Sequence, residues 1–232
     1  MTYNNDLTLT AVKKAAGEAG ALLVQQGMLL GLGTGSTAVF FIEALGRRCK
    51  EGLNIRAVAT SERSRDQAEK LGIPLEDEQN ISYLDLTIDG ADEIDPQKNM
   101  IKGGGGALFR EKLLAISSKE MIVLVDETKL VPHLGVFPVP VEISPFIYRA
   151  TISRLHDKGY DGIIRRNHDS SIYVTDNGNY IIDLRIERPI LNPKKDHEDI
   201  RSIEGVIETG LFFDVAGRVI IGYKNGSVKI QA

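Results

Sequence analysis

Apolar stretches of strand length alternate with segments of helical periodicity through the first half of this chain, and that alternation leaves few folds open. Val12, Ala15, Ala16, Ala19, Leu22 and Leu23 recur on one helical face, and Gly27 suits the end of that helix. Met28 to Leu32 then reads as a short buried strand, a glycine-rich turn follows, and Thr37 to Lys50 resumes helical spacing. Ile55 to Thr60 is the next expected strand, with a helix over Ser61 to Leu71. Leu84, Leu86 and Ile88 alternate with Asp85 and Thr87 as a third strand, and a helix over Ala107 to Ser117 leads to the almost wholly apolar strand Met121 to Val125. Strand and helix in strict turn predict an α/β fold: a mainly parallel, Rossmann-like sheet with helices on both faces. Ligands are expected at the loops that follow the strand C-termini.

Prolines at 132, 138, 140 and 145 mark a change of texture. Beyond them Val139 to Ile143, a helix near Ile147 to Lys158, a strand near Gly162 to Arg166, a turn at Asp176 to Asn179, Tyr180 to Leu184, a helix near Asp196 to Ile203 and Val206 to Phe212 read β-α-β-β-α-β. That order predicts a smaller ferredoxin-like α+β domain. The expected division is 1–131 as the α/β domain, 132–212 as the smaller one, and 213–232 returning to the first.

Function classes are narrowed by charge. A net charge of −4 over 232 residues supplies no basic field for nucleic acid or an anionic membrane surface, so neither is an expected partner, and any bound anion must be held locally. Met1 to Asp6 is polar, without the pattern of a secretory signal or a membrane span, and the cytoplasm is the expected location. Cys49 is the only cysteine, which excludes an internal disulfide, and His133, His156, His168 and His197 lack metal-ligand spacing, so no metal is expected.

Three loops carry the chemistry. Gly31-Leu32-Gly33-Thr34-Gly35-Ser36-Thr37 joins a strand to a helix, where glycines let backbone N–H groups converge on an anion and hydroxyls add donors. A plain tight turn capped by Ser36 or Thr37 is the alternative. Ser36 stands where a dinucleotide fingerprint needs a third glycine or alanine, and the lysine of a P-loop is absent, so a phosphomonoester fits better than NAD or ATP. Asp89-Gly90-Ala91-Asp92-Glu93 crowds carboxylates at a strand end, which raises at least one pKa unless the stretch is a solvated acidic loop. Lys102-Gly103-Gly104-Gly105-Gly106 leads into a helix carrying Glu111 near its apolar face, where half-burial would make that carboxylate a stronger base. The glycines could otherwise be a hinge, and Glu111 a partner for Arg110 and Lys112. Lys13 and Lys129, taken singly, read as surface lysines.

The combination GTGST, DGADE, KGGGGAL-x-REK and D-x-TK, in this order and on these elements, closely resembles type A ribose-5-phosphate isomerase over nearly the whole chain. The resemblance implies a cofactor-free aldose–ketose isomerase acting on a small sugar phosphate in the non-oxidative pentose phosphate pathway, as a homodimer or homotetramer. It implies that Thr34, Gly35, Ser36, Thr37 and Lys129 contact phosphate and substrate, with Lys13 a further candidate. Asp89, Gly90, Ala91, Asp92, Lys102, Gly103, Gly104 and Gly105 would line the reacting end, and Glu111 would accept the proton. Phe109, Thr128 and the charged stretch Ser61 to Ser64 depart from the family pattern.

Overall fold

The computed structural model describes residues 8–186 and 188–232, so the polar leader Met1 to Asp6 lies outside the described residues. In chain order the elements begin with α1 (Leu9–Leu22), β1 (Leu29–Leu32), α2 (Ala38–Lys50), β2 (Arg56–Ala59), α3 (Glu62–Leu71) and β3 (Leu86–Gly90). There follow β4 (Glu93–Ile94), β5 (Met100–Ile101), α4 (Leu108–Ile116), β6 (Met121–Asp126), β7 (Val139–Ile143), α5 (Tyr148–Asp157) and β8 (Asp161–Ile164). The last are β9 (Tyr180–Arg185), α6 (Pro193–Arg201), β10 (Val206–Thr209), β11 (Leu211–Phe212), β12 (Ala216–Gly222) and β13 (Val228–Gln231). Two compact units divide the chain: Met1–Ala91, Leu113–Leu130 and Val215–Ala232 form one, Asp92–Lys112 and Val131–Asp214 the other.

The first unit is the α/β layer structure that the alternation predicts. Its sheet runs β13-β12-β6-β3-β1-β2, parallel from β2 through β12, with only β13 antiparallel. β1 and β6 are buried along their whole length, as strands covered on both faces must be. On one face Gly20 of α1 lies against Leu124 and Ile88. On the other the Thr87 hydroxyl meets the Leu114 carbonyl of α4 at 3.3 Å and the Ser118 hydroxyl at 2.7 Å. The tail returns as β12, paired with β6 from Met121 to Asp126.

α1 stops at Leu22, short of the expected end at Gly27. Its last carbonyls find a partner in α2: the Arg48 guanidinium donates to the carbonyls of Ala21 and, at 2.9 Å, of Val24. That satisfies acceptors a longer helix would have bonded internally.

In the second unit the chain order β7-α5-β8-β9-α6-β10 matches the predicted β-α-β-β-α-β, and the antiparallel sheet is ordered β10-β7-β9-β8. α6 begins at Pro193 after Asn192, whose side chain accepts from the Lys195 N–H, a stronger start signal than the expected Asp196. The single strand expected over Val206 to Phe212 is broken at Gly210. There the N–H donates to the Pro140 carbonyl, and the Gly210 carbonyl accepts from Lys102 N at 2.9 Å, so the chain leaves β7 and continues as β11 beside β5. This third sheet, β11-β5-β4, places Asp92–Lys112 in the second unit instead of the expected 1–131 segment, and Ile101 joins that unit's apolar core with Val141, Ile182 and Leu211. No helix among the described residues is long and apolar enough to cross a membrane.

Gly17 sits where α1 crosses α2: a Cβ there would lie 2.7 Å from the Phe41 backbone nitrogen, which no side-chain rotation relieves. Gly17→Ala is expected to destabilise the protein by about 1–3 kcal/mol, read as a lower urea midpoint at unchanged m-value; an unchanged midpoint would refute the close crossing.

Candidate active site

In the first unit the loops after β1, β2, β3 and β6 leave the parallel sheet at its C-terminal edge, and β1 and β3 are the neighbours from which connections run in opposite directions. Gly33 and Asp89 meet at that point. Asp89 is fully buried, and its Oδ1 accepts the N–H of Thr34 at 3.0 Å and of Gly90 at 2.7 Å. A Cβ on Gly33 would come within 2.1 Å of that same oxygen, so only glycine admits the carboxylate here.

Thr34 uses both its N–H and its hydroxyl within the protein. Its hydroxyl lies in a buried cluster with Thr60 at 2.6 Å, Ser61 at 2.7 Å and Ser64 at 3.1 Å. Ser64 passes the chain of bonds to the Gly33 carbonyl at 2.8 Å, and Ser61 caps α3 through the Ser64 N–H. Sequence reasoning does not bring Thr60, Ser61 and Ser64 to this turn; the S-x-x-S spacing at a helix start is the one local signal for them. Next along the loop, Gly35 takes φ +129°, and Thr37 precedes α2 without a side-chain capping bond, which removes the tight-turn explanation for its hydroxyl. Lys13 reaches this loop, donating to the Ser36 hydroxyl at 2.8 Å. Lys129 ends the single 3₁₀ turn Glu127–Lys129 after β6, a turn closed by Asp126, whose Oδ1 accepts the Thr128 N–H at 3.0 Å.

In the second unit Lys102 and Glu111 form an ion pair, Nζ to Oε2 3.4 Å, with each side chain only 2% exposed. Glu111 is thus fully buried, deeper than the half-burial its helical position predicts. Taking both charges out of water costs on the order of several kcal/mol each before their attraction is counted, so such a pair is a poor stabiliser and a good functional candidate. Lys102 also lies over the Phe212 ring at 5.5 Å.

Lys112, the next residue on α4, holds the geometry from the other side. Its ammonium donates to Glu208 at 2.9 Å and to the carbonyls of Thr209 and Leu211 at 2.8 Å each, the residues flanking Gly210. Burial pushes the Lys112 pKa below its ordinary value, against the opposing pull of Glu208. Burial also lowers His197, with Lys112 as the next cause; its Nδ1 lies 2.8 Å from the Thr209 hydroxyl. The corner that bonds the Lys102 backbone is therefore tied directly to the helix carrying Glu111.

Within the glycine run, the Gly104 N–H donates to Asp92 Oδ2 at 2.7 Å and the Gly106 N–H to the Gly103 carbonyl at 3.0 Å. Gly104 and Gly105 are exposed and Gly103 is buried. Arg165, directly after β8, donates to the carbonyls of Gly103 at 2.8 Å and Gly104 at 3.3 Å. Arg165 escapes a sequence reading because its partners stand 62 and 61 residues away, with no local pattern to connect them.

A family description, Ribose 5-phosphate isomerase A (phosphoriboisomerase A), matches residues 56–226 of the chain. Ribose-5-phosphate isomerase A of Protochlamydia amoebophila (strain UWE25) is 59% identical over all 232 residues, covering 100% of both chains. That of Bacillus mycoides (strain KBAB4) is 50% identical over 215 residues, 93% of this chain and 97% of the relative. Among solved structures, ribose 5-phosphate isomerase from Plasmodium falciparum superposes with a TM-score of 0.91 at 37% identity, covering 96% of this chain and 98% of that one. A D-ribose-5-phosphate isomerase in complex with phospho-erythronic acid superposes with a TM-score of 0.92 at 37% identity, covering 97% and 99%. Matched by the family over most of its length and by relatives over nearly all of it, with the doubly covered sheet and the buried lysine–glutamate pair in place, the chain belongs to the ribose 5-phosphate isomerase A family.

Proposed function

We propose that this chain interconverts D-ribose 5-phosphate and D-ribulose 5-phosphate through an enediolate, by general acid–base catalysis, in the non-oxidative pentose phosphate pathway. The observation that carries the reading is the buried Lys102–Glu111 pair beside the glycine run. Glu111 takes the proton from C2 of the aldose and returns it to C1, while Lys102 and N–H donors of the Gly103–Gly105 run stabilise the oxyanion that forms between the two steps. Asp89 relays the hydroxyl protons, so that the carbonyl and the hydroxyl exchange places with no net gain or loss of electrons. The reaction is redox-neutral and calls for no cofactor. Asp92, which accepts the Gly104 N–H, positions the glycine run and assists opening of the furanose.

Phosphate binding is assigned to Gly35, Ser36 and Thr37 at the start of α2, with Lys13 and Lys129 as cations. Thr34 supports this turn from within its hydroxyl cluster. Gly90 and Ala91 continue the strand end that carries Asp89. Anchoring the phosphate converts binding energy at one end of the sugar into orientation at the other. The phospho-erythronic acid bound by the structural relative combines a phosphate with a carboxylate, the anion pair this arrangement would favour. The same reading makes the protein a cytoplasmic homodimer or homotetramer that acts on a small sugar phosphate, with no nucleic-acid or membrane partner.

EDTA-treated protein is expected to convert ribose 5-phosphate to ribulose 5-phosphate, and Glu111→Gln to lower turnover by about 10²–10⁴ while still binding substrate. Near-normal turnover in that variant removes Glu111 as the base, and wild type that binds the sugar phosphate yet makes no ketose overturns the function. Lys13→Met should weaken ribose 5-phosphate binding by about tenfold to a hundredfold, the worth of one hydrogen bond to a charged group. An unchanged KM in steady-state assays takes Lys13 out of the phosphate site.

A further inference from the structure

We propose that Arg165, locked in place by Asp183, is a positioning residue that aims the Gly105 N–H as an oxyanion donor by drawing the carbonyls of Gly103 and Gly104 to its own side. This deepens the isomerase reading and rests on it.

In a trans peptide the carbonyl and the next residue's N–H point in opposite directions. Arg165 Nη1 donates to the carbonyl of Gly103 at 2.8 Å and to that of Gly104 at 3.3 Å. The N–H groups of Gly104 and Gly105 must therefore point away from the guanidinium. The first does so visibly, donating to Asp92 Oδ2 at 2.7 Å. The second belongs to an exposed residue, open to an incoming oxygen. A cation bonded to a peptide carbonyl also polarises the peptide and strengthens its N–H as a donor.

The guanidinium is itself fixed. Its Nε donates to Asp183 Oδ2 at 2.9 Å and its Nη2 to the other carboxylate oxygen, a bidentate pair whose planar fork a lysine cannot reproduce. Tyr173 flanks it, with the Arg165 Cζ 5.9 Å from the ring centroid. Gly103, at φ +99°, and Gly106, at φ +87°, take backbone conformations at either end of the run that favour glycine. Arg165 is also reachable: a cleft of about 510 Å³ is lined by Gly104, Arg165, Arg166, Asp183 and Arg185 among others. A free guanidinium ion could enter there if the side chain were removed.

The test is Arg165→Ala assayed with and without guanidinium ion at non-denaturing concentration, with sodium chloride at equal ionic strength as control. Losing an oxyanion donor outright costs about 10²–10³ in turnover, so losing its aim should lower kcat by about tenfold to a hundredfold and leave the KM for ribose 5-phosphate within about twofold. Guanidinium should restore part of kcat in the variant alone, and Arg165→Lys should fall in between. A folded Arg165→Ala variant with wild-type kcat, or one whose loss lies in KM and ignores guanidinium, overturns the proposal. Should that variant not fold, Asp183→Asn carries the test: kcat reduced at unchanged KM supports the clamp, and wild-type kcat overturns it. The ¹⁵N resonances of Gly104 and Gly105 report the carbonyl bonds independently of turnover. They should move in Arg165→Ala and return with guanidinium, and unmoved resonances refute the clamp. Wild type without isomerase activity would instead overturn the functional reading.

Discussion

Burying a lysine and a glutamate 3.4 Å apart, with almost no water contact, is the constraint around which the second unit is arranged. Two charges withdrawn from water are tolerated only where their surroundings are rigid and polar in the right places. The corner at Gly210 holds the Lys102 backbone, Lys112 ties that corner to α4, and the Phe212 ring lies beneath both ammonium groups. A third cation, Arg165, holds the glycine run between them through two carbonyls. Apart from the Phe212 ring, each link is a hydrogen bond to backbone, so the chain itself is what the charges position. For an oxyanion-stabilising site this preorganisation matters more than any single contact, because donors already aimed need no rearrangement as charge develops.

The first unit solves a different problem with mostly neutral groups. Asp89 occupies the strand-order reversal and is held by two N–H groups, while Thr34, Thr60, Ser61 and Ser64 pass hydrogen bonds among themselves beneath the turn. Buried hydroxyls that satisfy one another make the turn rigid without adding charge beneath it. The two loops thus reach rigidity by different means: shared hydroxyl hydrogen bonds under the turn after β1, and charge-assisted bonds to backbone around the Lys102–Glu111 pair.

Legibility differed by kind of residue. Glu111 and Lys102 stood out because a helix start after a lysine and four glycines is a local pattern with a chemical reason. The depth of Glu111 did not stand out, since helical spacing places a side chain on a face without saying what covers that face. A glycine-rich turn predicts hydroxyl donors pointing outward, yet the Thr34 hydroxyl turns inward toward residues 26 to 30 positions away. Prolines predict a boundary at 131, while the segment Asp92–Lys112 follows its strand pairing with β11, which no proline count reports.

The sequence by itself determined the order of strands and helices, the parallel sheet, the β-α-β-β-α-β module and the loops that carry reactive groups. These depend on periodicity and on glycine, proline and capping residues, which act over a few positions of chain. Only the tertiary structure decided that Arg165 serves the glycine run, that Lys112 braces the Lys102 corner, and that Asp89 fits against Gly33. Such pairings depend on which surfaces meet after the chain has folded back on itself, and a hydrogen bond spanning 50 to 100 residues leaves no spacing to read.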